Sequence, residues 1–156
     1  MISVMALAMA AIGCGGSEAA ASGRPFTQAR LRGTYTCVFD GAEVIGGQAA
    51  PLRARIVLTS NGAGEFSGGS TIIGLTEPDG TATTCNYTVE SGTYTVDADG
   101  AGSWTVNHTA SPGNASSCPP AAHQAHFVLS RKGHTIIYHY ITASGFVGGG
   151  TCTNRR

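Results

Sequence analysis

The chain has 156 residues, which leaves room for about one domain. Nine basic residues balance nine acidic ones and only 12% of positions are charged, so a nucleic-acid footprint and an acidic interaction tail are both excluded. The 42% hydrophobic content excludes a disordered chain, and 23 glycines among many serines and threonines favour short strands and tight turns over helices.

Residues 1–12 read MISVMALAMAAI, an almost unbroken apolar run. It is too short for roughly 30 Å of hydrocarbon, which takes about 20 residues, and suits the apolar region of a secretory signal. The following Ala11-Ile12-Gly13-Cys14 resembles the cleavage box of bacterial lipoproteins, with alanine where leucine is usual and no Lys or Arg ahead of the cysteine. The resemblance implies a signal peptide over 1–13, cleavage before Cys14 and a lipid on that cysteine. An ordinary signal peptide cleaved nearby is the alternative, and it exports the chain as well. Residues 14–31 then form the lipidated cysteine and a flexible tether, whose GGSEAAASG stretch spans at most about 30 Å. Gly15 stands where lipoproteins kept at the inner membrane usually carry aspartate. The resemblance therefore implies an envelope location, on the outer membrane where the cell has one, with the membrane as a partner.

From Arg32 to Arg156 the pattern alternates with period two, the mark of strands with one buried and one wet face. Tyr35, Cys37 and Phe39 share a face, as do Leu52, Ala54, Ile56 and Leu58, with Arg53 and Arg55 opposite. Tyr94 and Val96, then Trp104 and Val106, continue the apolar face, while 134–143 is apolar on both faces and is predicted to be central or covered. Asn61-Gly62 and Asp99-Gly100 predict type I′ hairpin turns, and Pro78-Asp79-Gly80 predicts another turn. Residues 56–66 match 94–104 at an offset of 38, which reads either as an internal repeat or as the common look of glycine-rich hairpins. Eight or nine strands in so small a domain have to curl. An all-β, up-and-down barrel is the expected fold, with a sandwich as the alternative. The Gly-Thr-Tyr segments at 33–35 and 92–94, with Asp99-Gly100-Ala101-Gly102, resemble uncharacterised bacterial secreted barrels that are broadly calycin-like. That resemblance covers roughly residues 33–106 and implies a barrel, not an activity.

Five cysteines occur, and with Cys14 lipidated the other four form an even set suited to an oxidising compartment. Cys37 lies on the first predicted strand and Cys152 on the last. In a closed meander those strands are neighbours, within a bridging Cα separation of about 5.5–6 Å. Cys85 then pairs with Cys118 and ties the middle hairpin to the Pro/Ser-rich loop at 111–120. An open sandwich need not bring the first strand beside the last.

Chemistry is harder to find. No nucleophile elbow, zinc-protease, dinucleotide or phosphate-loop motif occurs, so no catalytic residue, metal site or cofactor is assigned. Glu65, Asp79, Asp97 and Asp99 fall at or beside turns, where solvated carboxylates are common. His123 and His126 have a metal-like spacing in a loop, but on a strand they fall on opposite faces. His139 shares a face with Ile137 and Ile141 and is expected to be semi-buried. The strand aromatics either fill a solid core or line a ligand cavity, the candidates for the latter being Tyr35, Tyr94, Trp104 and His139. Two readings follow: an envelope lipoprotein whose barrel binds a small apolar ligand or a protein partner, or a barrel cyclase or isomerase acting on an apolar substrate. A cavity holding His139 beside a tyrosine or carboxylate would favour the enzyme.

Overall fold

The computed structural model describes residues 24–116, 118, 122–130, 132–140 and 147–155. The expected signal peptide, Cys14 and the GGSEAAASG stretch lie outside them. Eight strands follow in order: β1 Gly33–Ile45, β2 Gln48–Ser60, β3 Glu65–Thr76, β4 Ala82–Val96, β5 Ala101–Ala110, β6 Ala122–Leu129, β7 Thr135–Tyr140 and β8 Val147–Arg155. Each pairs antiparallel with the next, and β1 pairs with β8 from Thr34↔Arg155 to Ala42↔Val147. The fold is a closed up-and-down barrel, and the sandwich alternative falls.

Alternation decides what points inward. On β2, Ala50, Leu52, Ala54, Ile56 and Leu58 are buried while Arg53 and Arg55 face out. Tyr35, Cys37 and Phe39 on β1 and Trp104 and Val106 on β5 are buried as expected, with Val96 only partly so. The outward faces carry mainly threonine, serine and asparagine, for example Thr84, Asn86 and Thr88 on β4. This is the reverse of a transmembrane barrel, which turns its apolar residues outward. β7 departs from expectation, because Ile137 is 62% exposed and nothing among the described residues covers its outer face.

Glycine makes the tight curvature possible by leaving room for rings. A Cβ on Gly41 or Gly148 would sit 2.5 Å from the Phe39 ring, and one on Gly102 would sit 2.5 Å from the Phe127 ring. Phe39 and Phe127 thus each lie over neighbouring residues that have no side chain. Register shifts between Leu58 and Ser60 and between Val89 and Ser91 add local bends.

The hairpin turns differ from the expected type. No described non-glycine residue has positive φ, so Asn61 and Asp99 cannot occupy the first position of a type I′ turn. Instead the loops 61–64 and 97–100 each hold four residues, closed by Asn61 N–H to Glu65 O and Asp97 N–H to Ala101 O. The geometry with two central residues at positive φ belongs to Gly46-Gly47, at +58° and +82°, between the paired Ile45 and Gln48. The equivalent loop positions Asn61 and Asp97 are 36 apart, not 38. The segments 56–66 and 94–104 thus share a strand–loop–strand form, with their loop hydrogen bonds two residues out of step with the sequence match.

Residues 24–31, expected as the end of the tether, are part of the domain. Gln28–Leu31 form a 3₁₀ turn that carries Leu31 to complete burial, and Phe26 N–H donates to Ala98 O at 3.1 Å. The Tyr35 hydroxyl donates to Gly133 O at 2.9 Å. The Tyr94 hydroxyl donates to Gln28 O at 3.4 Å and accepts from Ser60 Oγ at 2.8 Å. Leucine at position 31 is the apolar residue a plug requires, and one end of the barrel is stoppered by it.

Both disulfides join the pairs expected from closure, Cys37–Cys152 and Cys85–Cys118. The first joins residues directly opposed in the β1–β8 register, with a Cα separation of 3.8 Å, shorter than the expected distance of about 5.5–6 Å. Such bonds are compatible with an exported protein.

Candidate functional site

Rings pack continuously through the middle of the barrel. Trp104 touches Tyr138, Phe127 and Phe66 at centroid distances of 4.9, 5.1 and 6.0 Å, and Phe66 lies 5.0 Å from Tyr94. Of the candidate cavity residues, Tyr35, Tyr94 and Trp104 do point inward. The Tyr35 hydroxyl is engaged by Gly133 between β6 and β7, the Tyr94 hydroxyl by Gln28 of the plug, and the indole is enclosed by rings. His139 is a correction: it is exposed on the outer face of β7. Its strand alternates with Ile136, Tyr138 and Tyr140 inward, so the Ile137 face that suggested burial is the wet one.

The interior turns polar toward the end opposite the plug. Five strands contribute inward groups there: Glu43 from β1, Tyr87 from β4, His108 from β5, His123 from β6 and Tyr140 from β7, all buried. Strand alternation puts each on the inner face, and each lies within a few residues of its strand's far end or of the loop that covers it. The Tyr87 and His108 rings are 5.8 Å apart, those of His108 and His123 4.9 Å, and those of His123 and Tyr140 5.4 Å. His108 Nε2 is also hydrogen-bonded to buried Thr71 Oγ1 on β3 at 2.8 Å. Phe39, 4.8 Å from Tyr140, forms the apolar floor of this layer.

Burial pushes the Tyr87 hydroxyl up to about 12, assisted by the charge of Glu43. The Tyr140 hydroxyl is raised further by burial alone, so both tyrosines are neutral donors at physiological pH. Burial also raises Glu43, and its Oε2 has no hydrogen-bond partner among the described residues. A buried carboxylate oxygen without a partner costs stability, and its persistence calls for a use.

The disulfide Cys85–Cys118 holds the segment after β5 against this end. Ser111 N–H donates to Asn86 O at 2.9 Å, and Asn114 Oδ1 accepts from Asn86 N–H at 3.1 Å. A strap therefore lies beside the polar layer while the opposite end is stoppered.

No family model and no curated protein matches the chain. Among solved structures it is similar to a redesigned β-barrel at 15% identity and a TM-score of 0.43, over 86% of this chain and 100% of that one. It is also similar to a redesigned β-barrel bound to DFHBI, at 14% identity and 0.42, over 82% and 98% of the two chains. A de novo designed fluorescence-activating β-barrel follows at 11% and 0.41, over 83% and 99%.

Sequence reasoning missed most of this layer. Glu43, Thr71, Tyr87 and His108 stand out in no motif, and His123 draws notice only for its spacing from His126. Period-two counting does find them, since 39, 41 and 43 share a face, as do 104, 106 and 108. A charged or imidazole side chain continuing an inward apolar series was the available signal.

Glu43 has a checkable consequence. Its folded-state carboxyl is raised above the unfolded value, so its favourable contribution is complete below the usual glutamate range and is lost as pH rises through the folded value. Glu43→Gln is therefore expected to be more stable than wild type at pH 7, with the difference vanishing near pH 4. Urea denaturation at the two pH values checks this, and equal stabilities at pH 7 would return Glu43 to a solvated setting.

Proposed function

We propose that the chain is an exported, non-enzymatic binding protein, anchored to the cell envelope by a lipid on Cys14, whose barrel takes a small ligand at the strapped end. The ligand has an apolar body that lies against Phe39, Tyr87 and Tyr140, and a hydrogen-bond-donating head that meets Glu43. The observation that carries this reading is the unsatisfied Glu43 carboxylate oxygen among buried aromatic and imidazole groups. Pockets are mostly apolar with a few convergent polar groups, and this layer has that make-up. Protein taken from its native envelope and analysed by gentle mass spectrometry is expected to carry a small-molecule adduct that Glu43→Gln loses. Identical spectra for the two proteins would end the ligand reading.

The anchor is tested separately. With its complete upstream signal, wild type is expected to partition into detergent, and Cys14→Ser to stay in the aqueous phase; equal partitioning removes the lipid. The enzyme reading no longer has His139 inside the barrel, but His108 and His123 beside Tyr87 and Glu43 supply an interior acid–base set of the same kind. Chemical conversion of the captured molecule on prolonged incubation, abolished in His108→Gln, would favour that reading.

A further inference from the structure

The two histidines on the outer face form an arrangement unrelated to the interior layer. His126 on β6 and His139 on β7 are directly opposed in the strand register, both exposed, with ring centroids 5.8 Å apart. We infer that His126 and His139 are a two-imidazole chelate for a late first-row divalent cation, with Cu(II) held more tightly than Zn(II).

Directly opposed side chains on antiparallel strands have Cβ atoms about 4.5–5.5 Å apart. Metal–imidazole bonds are about 2.0–2.1 Å, so two rings from such positions reach one ion by side-chain rotation alone. The backbone that sets their spacing is hydrogen-bonded sheet, and no segment has to fold for the ion to bind. Imidazole selects copper, nickel and zinc over magnesium and calcium, and the general affinity order places Cu(II) above Zn(II).

The surroundings leave the ion accessible. In the same cross-strand row, His126 is flanked by Ser103 of β5 and His139 by Gly149 of β8. One neighbour is a small hydroxyl and the other has no side chain. The two histidines line a surface groove of about 430 Å³ together with Val128, Ile137 and Asp97. Among the described residues no group of three His, Cys, Asp or Glu is placed to hold an ion, so the protein supplies two ligands and water or another molecule completes the shell. Such a site exchanges its metal readily, unlike a closed structural site.

A second ligand held on the same scaffold raises affinity by about 10²–10⁴ over a single one. Calorimetric titration of the full chain with Cu(II) is expected to show one site that weakens about 100-fold or more in either His126→Gln or His139→Gln. Electron paramagnetic resonance is expected to show two coupled nitrogens in wild type and one in each variant. Zn(II) is expected to compete with lower affinity, and acidification to weaken both because protons compete for the imidazoles. Because both side chains are exposed, thermal melts of the variants are expected to match wild type. Unchanged Cu(II) affinity in the double variant His126→Gln/His139→Gln would overturn the proposal. So would a loss confined to one of the two single variants, which would indicate a lone imidazole.

Discussion

Replacing Cys37 and Cys152 together by alanine is expected to lower stability by about 4–5 kcal/mol, read from urea denaturation of oxidised protein. The bond closes a loop with a sequence separation of 115, and it is this length that restricts the unfolded chain so strongly. It also crosses the seam of the barrel, where β8 brings Gly148, Gly149 and Gly150, three residues with no side chains to pack. Hydrogen bonds and the crosslink therefore carry more of that seam than of the others. Removing Cys85–Cys118, with a separation of 33, is expected to cost about 3.5–4 kcal/mol. If the longer crosslink proved the less stabilising of the two, the chain-entropy account would fail here, and native packing at the seam would have to explain the order.

Trp104→Ala is expected to cost about 3–5 kcal/mol. The indole is 3% exposed and enclosed by Phe66, Phe127 and Tyr138. Collapse into the vacated space is restricted, because Phe127 lies over Gly102 and Phe66 over Gly92, close approaches that hold those rings to the wall. A cavity that cannot close keeps the full cost of the lost contacts. A measured loss below 1 kcal/mol would mean the barrel wall yields after all.

The barrel was legible in the sequence because its cause is local. Alternation at 52–58 and 104–106 follows from the geometry of one strand, and closure follows from packing eight such strands in one domain. The plug was not legible. Residues 24–31 lack the periodicity of any regular element, and Leu31 is buried only because the closed barrel has an end to fill. Turn type was misread for a related reason: Asn61-Gly62 and Asp99-Gly100 admit several loop geometries, and the flanking strands select among them. His139 was placed inside because isoleucine at 137 outweighed phase, although Tyr138 and Tyr140 carry the larger apolar surface. The candidate site lay in continuations of correctly read faces, where an apolar series ends in glutamate or histidine. Nothing in a single strand marks such residues as a site, and only the barrel brings Glu43, His108 and His123 into one layer with Tyr87 and Tyr140.

Closure also sets an order of events during synthesis. β2, β3 and β4 meet their neighbours through short turns soon after they are made, whereas β1 obtains its second neighbour only when Arg155 has been added. Until then β1 is a free sheet edge bearing Val38 and Val44, both about half exposed even in the finished barrel. Unpaired edges of this kind invite pairing with other chains. Cys37 waits over the same interval, with Cys85 already available as a wrong partner and Cys152 still to come. Correct oxidation thus depends on β8 arriving first, or on thiol–disulfide exchange that undoes an early Cys37–Cys85 bond.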